Sequence, residues 1–159
     1  MTTFPLPYDK LNQVAKIRVE ATRIAAMVDR LPAKIFKGNN SSMLRQAALD
    51  SFYVNIRLLI EFLEVRPASG DLSASKTLNG WSTSFLSSAQ NQQLQNYHKD
   101  TSKHVVHFTK VRVNRITVSS TSIRQVADAV LAVWDEFAKQ SQHLLVPRTA
   151  DLRKVSFDY

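Results

Sequence analysis

The placement of glycine and proline constrains this chain most. The three glycines (Gly38, Gly70, Gly80) all lie between stretches of apolar periodicity, and the five prolines are equally peripheral. These are the residues that interrupt helices, so the long segments between them are free to be helical. At 159 residues the chain fits one domain, which at this size buries roughly 70% of its unfolded surface. The expected fold is all-α: a single-domain, up-and-down bundle of four main helices with a long, partly packed loop. The domain covers residues 1–159, with about 1–7 and 148–159 as terminal extensions.

The spacing places the helices. From Tyr8 to about Arg30, Leu11, Val14, Ile17, Ala21, Ile24, Ala25 and Met27 recur every three or four residues, and Leu31-Pro32 is expected to stop that helix. Ser41 or Ser42 caps a second helix running to about Val65, which its Phe52, Val54, Ile56, Leu58, Leu59, Ile60, Phe62 and Leu63 mark as the most buried element. Residues 66–87 are rich in serine yet hold Leu78, Trp81, Phe85 and Leu86, so a loop pinned to the core by Trp81 is expected. A third helix runs from Ser87 or Ser88 through Phe108 on the stripe Leu94, Tyr97, Thr101, Val105 and Phe108. Residues 110–118 alternate like an extended connector. A fourth helix follows a cap at Ser119, Ser120 or Thr121 and ends before Pro147. The tail from 148 can dock on the body or on a second subunit.

Composition narrows the chemistry. The absence of cysteine removes disulfides, thiolate metal sites and cysteine nucleophiles together. The opening MTTFPLPYDK has no basic region followed by an apolar run, and no apolar run approaches the roughly 20 residues of a membrane span. A cytoplasmic protein without membrane association is expected. The net charge of +8 is uneven, with basic regions at 1–45 and 99–159 around a near-neutral middle. Such a balance attracts nucleic acid, acidic lipid or an acidic protein without choosing among them.

The chemically richest segment is 99–115, KDTSKHVVHFTKVRVNR. On a helix, Asp100, His104 and His107 fall within roughly 60° of one another, with Gln93 and Asn96 on the same side. They form a polar strip beside the apolar stripe. Three functional readings compete. The spacings Asp100 to His104 and His104 to His107 suit metal ligands. A histidine could instead move a proton in phosphodiester cleavage while Lys99, Lys103 or a nearby arginine stabilises the developing charge. As a binding strip, the histidines with Lys103, Lys110, Arg112 and Arg115 could track a phosphate backbone. Against these stands an architectural role, histidines half-buried and satisfied by their neighbours.

On the second helix Asp50, Arg57, Glu61 and Glu64 project from one side. Arg57 stands inside the most apolar run with Glu61 one turn on, which reads as a buried, architectural ion pair; the alternative sends Arg57 across the helix seam to supply a cation for a phosphate. His143 reads as surface or helix C-cap. There is no Gly-rich phosphate loop, HExxH helix, nucleophile elbow or Rossmann fingerprint, and no cofactor or resident metal is expected.

These residues resemble the HEPN superfamily, whose motif is an arginine, commonly with a polar residue after it, and a histidine a few residues on. Lys99-Asp100-Thr101-Ser102-Lys103-His104 fits that spacing with lysine in the arginine position, and the positions corresponding to His107 hold no basic residue. The stretch Lys103-His104-Val105-Val106-His107-Phe108-Thr109, followed by Arg112, also resembles an uncharacterised bacterial group with a Lys, three residues, His, apolar, Thr pattern. The resemblance covers the second helix and this segment. It implies a small helical bundle that dimerises and, in active branches of the superfamily, cleaves RNA without metal. It would make His107 or His104 the acid/base, beside Asp100 and Lys103, and would place Arg57, Lys99, Lys110, Arg112 and Arg115 on the nucleic acid. The competing expectation is a non-catalytic helical interaction module whose basic faces bind an acidic protein or nucleic acid.

Overall fold

Each long helix begins where a polar side chain can take up backbone N–H groups that have no partner within the helix. In the computed structural model, Asn12 accepts from the Ala15 N–H (2.8 Å) at the start of α1 (Gln13–Ile35). Ser41 accepts from Leu44 (3.2 Å) at the start of α2 (Ser42–Phe62). Ser87 and Gln90 exchange reciprocal bonds of 2.9 and 3.2 Å before α3 (Ser88–Val105), which is a capping box. Ser119 accepts from Ser122 (3.1 Å) ahead of α4 (Ser120–Ser141). A short α5 (Thr149–Leu152) follows, and a two-residue parallel pairing joins β1 (Thr2–Thr3) to β2 (Val155–Ser156). The structure describes residues 2–3, 7–70, 72–105 and 118–157, with side chains within 7–70, 72–103 and 118–157.

The architecture is an all-α helical bundle. α1 packs against both α2 and α4, α3 lies on α2, and α5 rests on α1 and α4. The expectation that α2 is the most buried element is corrected: α1 buries side chains along its whole length from Ile17 to Ile35, whereas Val54 and Leu58 of α2 are exposed. They lie on the side of α2 away from Phe52, Ile56, Leu59 and Leu63, all fully buried.

Pro32 does not stop α1, which continues to Ile35. An internal proline forfeits one backbone bond and crowds the carbonyl four residues back, at a cost of about 3 kcal/mol. Here the final turn sets Leu31, Pro32 and Ile35 into the core, and Arg124 donates to the Asp29 carbonyl just before the proline (3.2 Å). Tyr8–Lys10, expected to open this helix, form a separate 3-10 turn.

Aromatic contacts bind α2, the loop and α4. The Phe137 ring meets Phe62 edge-on at 5.4 Å, Trp81 edge-on at 5.3 Å and Trp134 at 5.5 Å. Trp81 pins the loop as its sequence predicts, donating its indole N–H to the Leu63 carbonyl (3.0 Å). The turn leaving α2 is a Schellman motif: Val65 N–H bonds Ile60 O, Glu64 N–H bonds Glu61 O, and Glu64 holds φ 62°. Glycine is the usual residue there. Glu64 is held instead by its carboxylate, which accepts from the Ser75 N–H (2.9 Å) and hydroxyl (3.0 Å) across the loop.

The tail docks on the body. Leu152 is fully buried, Arg30 donates to the carbonyls of Leu152 (2.6 Å) and Val155 (2.8 Å), and Arg153 reaches buried Asp29 (3.2 Å). Hydrogen bonds from a charged group contribute about 1.5–3 kcal/mol. Arg30→Ala is therefore expected to destabilise the fold by about 2 kcal/mol and to speed amide exchange across 149–156 ahead of the helices, measured by hydrogen exchange.

Candidate functional site

The seam between α2 and α3 holds a polar cluster that links two long helices through a nearly buried carboxylate, as buried Asp29 of α1 and Arg124 of α4 do elsewhere. Residues 53, 57 and 61 recur every four positions on α2, so they share one face. α3 lies against that face and turns His98 inward. The His98 side chain is 9% exposed, and its Nε2 sits 2.7 Å from Glu61 Oε1. The same carboxylate oxygen accepts from Arg57 Nε at 2.9 Å. Since the ionised Glu61 can only accept, His98 donates from Nε2.

The carboxylate is well provided for, with Glu61 11% exposed at its side chain. Burial alone would raise its pKa, but the hydrogen bonds from His98 and Arg57 outweigh burial and hold it below the usual carboxylate range. A carboxyl with a depressed folded pKa lends stability that is complete above its unfolded pKa, about 4.3 for Glu, and is lost as the pH falls through the lower folded value. Glu61→Gln is accordingly expected to cost about 2 kcal/mol at pH 7, and the gap from wild type should shrink steadily below about pH 4. Urea unfolding at both pH values measures it.

Two parts of the cluster are left open. Arg57 is 37% exposed at its side chain, and only its Nε is engaged among the described residues, so the terminal fork is available to a further acceptor. The second oxygen of Glu61 likewise has no partner among the described residues. One turn away, burial together with the carboxylates of Asp100 and Asp50 pushes the Tyr53 hydroxyl above its ordinary pKa, so Asp100 lies close to the same seam.

The expected polar strip is on the surface of α3. Gln93, Asn96, Lys99, Asp100 and Lys103 are all exposed. Gln93 donates to the Tyr97 hydroxyl (2.9 Å), and Gln92 donates to Asn96 (3.1 Å). The backbone of His104 belongs to α3. Its side chain lies outside the described residues, as do His107, Lys110, Arg112 and Arg115. The Arg57–Glu61 pair forms at its expected spacing, but only the carboxylate is nearly buried; the guanidinium is half-exposed, which corrects the expectation of a buried pair. His143 stands just past the end of α4 and accepts from the Leu145 N–H (3.1 Å), which braces the turn after the helix rather than capping the helix carbonyls.

His98 is the residue that sequence reasoning missed. Its signal was its register: Leu94, His98 and Thr101 are spaced four and three apart, and all three are buried. Assigning the stripe to Tyr97 instead turned His98 outward. Among the described residues there is no group of three or more histidine, cysteine, aspartate or glutamate side chains that could hold a metal ion, and no helix long and apolar enough to cross a membrane. No family model, curated protein or solved structure matches this chain.

Proposed function

We propose that this chain is a HEPN-like, RNA-associated protein that acts as a metal-independent endoribonuclease, using the α2–α3 seam to hold the scissile phosphate. The observation that carries the reading is the Arg57 fork. Glu61 fixes Nε, His98 braces Glu61 from α3, and the two terminal nitrogens have no partner among the described residues. A guanidinium held by one edge presents the other to a phosphate with little reorganisation, which is how a cation stabilises charge that develops in a transition state. Lys99 and Lys103, exposed on α3, add positive charge along a strand of RNA.

The chemistry needs no further reactant. The ribose 2′-hydroxyl attacks the adjacent phosphorus, the bond from phosphorus to the 5′-oxygen breaks, and a cyclic phosphate and a 5′-hydroxyl result. One group takes the 2′ proton and one supplies a proton to the leaving oxygen. His107 or His104 is assigned that proton transfer from the sequence pattern, with Asp100 and Lys103 beside them. Arg57 stabilises the charge on the phosphoryl oxygens, and Lys110, Arg112 and Arg115 are assigned to the flanking backbone. Assembly as a homodimer belongs to the same reading.

Incubation with labelled single-stranded RNA in EDTA tests it. The wild type should cut the strand, and His107→Ala should reduce the rate about 100-fold or more while binding persists. Binding without cleavage by the wild type would favour the non-catalytic module, which binds an acidic partner or nucleic acid through its basic faces. No binding at low salt would overturn both nucleic-acid readings.

A further inference from the structure

Glu61 also faces a second environment. Between α1 and α2, beneath Leu72 of the loop, lies a cleft of about 280 Å³ walled by Ile17, Ile24, Leu58 and Leu72, with Glu20 and Glu61 on its lining. Leu58 and Leu72 stand 41% and 50% exposed at this cleft, so apolar surface is left in water. The two carboxylates are not equivalent. Arg23 binds both oxygens of Glu20 (2.7 and 3.0 Å), whereas Glu61 gives only Oε1 to Arg57 and His98, leaving the other oxygen without a partner among the described residues.

An apolar slot with one open, ionised acceptor calls for a compact apolar body bearing an N–H donor. The volume falls just under the roughly 300–1,000 Å³ of sites for drug-sized ligands, which suits one heteroaromatic ring system. Arg57 adds the second half of the requirement. It does not line the cleft but shares Glu61 with it, and its fork, open among the described residues, is offered to the phosphate of a nucleotide whose base is seated there. We propose that this cleft is a nucleobase subsite that accepts adenine, cytosine or guanine through an amino or ring N–H on the second Glu61 oxygen, and discriminates against uracil.

This proposal rests on the RNA reading of the neighbouring α2–α3 seam, with which the cleft shares Glu61, and deepens it. The discrimination follows from donor chemistry. Adenine, cytosine and guanine each carry an exocyclic amino group that can donate to a carboxylate. Uracil has none, and its ring N–H lies between two carbonyls that would be brought against the anionic oxygen. Unpaired single-stranded bases are the ones read in this way, by stacking and by their hydrogen-bonding edges. Loss of one hydrogen bond to a charged group corresponds to about 10- to 100-fold in affinity.

The test is titration of the full chain with AMP, CMP, GMP and UMP in EDTA, followed by methyl NMR shifts of Ile17, Ile24, Leu58 and Leu72. AMP, CMP and GMP should shift these methyls, with UMP at least tenfold weaker. Glu61→Gln should abolish the preference. The glutamine carbonyl must still serve the donors Arg57 and His98, so its amide N–H would face the cleft, and all four bases carry acceptors for it. Leu72→Ala, at a half-exposed position that the fold tolerates, should weaken the three favoured nucleotides several-fold, and this variant keeps the test decisive if Glu61→Gln does not fold. Equal affinity for all four nucleotides, shifts confined to residues near Arg57 as inorganic phosphate alone would give, or an unchanged preference in a folded Glu61→Gln would each overturn the proposal. Nucleotide preference without RNA cleavage would uphold the subsite and remove the nuclease. RNA cleavage without nucleotide preference would do the reverse.

Discussion

Phe137→Ala should destabilise the protein by about 3–5 kcal/mol, the range for truncating a fully buried aromatic. Phe137 is completely buried, and its ring contacts Phe62 of α2, Trp81 of the loop and Trp134 of its own helix. Removing it loses the apolar transfer energy of the ring. It also opens a cavity where three further aromatic rings converge, and these cannot collapse together without moving two elements. Against a total stability of about 5–15 kcal/mol for a domain of this kind, that is a large share. With a urea dependence of about 2 kcal/mol/M, the unfolding midpoint should fall by roughly 2 M. Leu144→Ala, at a position 67% exposed, should change stability by no more than about 0.5 kcal/mol. A loss below 1 kcal/mol for Phe137→Ala would show that the loop and α4 do not share one core.

Arg57→Ala should lower RNA cleavage about 100- to 1,000-fold, the usual effect of removing one preorganised donor to transition-state charge. The guanidinium is half-exposed while Glu61 keeps His98 as a partner, so the fold should survive the change and the loss should appear in kcat more than in KM. Arg57→Lys is informative beside it. A lysine restores the charge, but one ammonium cannot bind Glu61 and present a planar fork to phosphate in the same pose. Recovery of no more than about tenfold is expected. Full recovery with lysine would mean that only charge, and not the held geometry, matters.

Much of the fold was legible because helix-stop signals and apolar spacing agree. Ser41, Ser87 and Ser119 begin helices by local chemistry that does not depend on the rest of the chain, whereas Asn12, which begins α1, was passed over for Tyr8; Trp81 announced a packed loop by being too apolar for free chain. Pro32 misled because a local rule met a tertiary override: burying the last turn of α1 offsets the lost backbone bond. The site was less legible. The Arg57–Glu61 pair could be read from its one-turn spacing, since both residues lie on one helix. Its third member could not be read with the same ease, because the phase of His98 is set by how α3 seats on α2, and Tyr97 and His98 fit the stripe almost equally well. The attention drawn by His104 and His107 came from residue chemistry. The buried contact came from packing.

Cleavage of a single-stranded RNA by the wild-type protein in EDTA, set beside the same strand with 2′-deoxyribose throughout, tests the central claim most directly. The account predicts that the RNA is cut to fragments ending in 2′,3′-cyclic phosphate while the deoxy strand, which lacks the attacking hydroxyl, stays whole. RNA left intact under these conditions, or both strands cut alike, would contradict it.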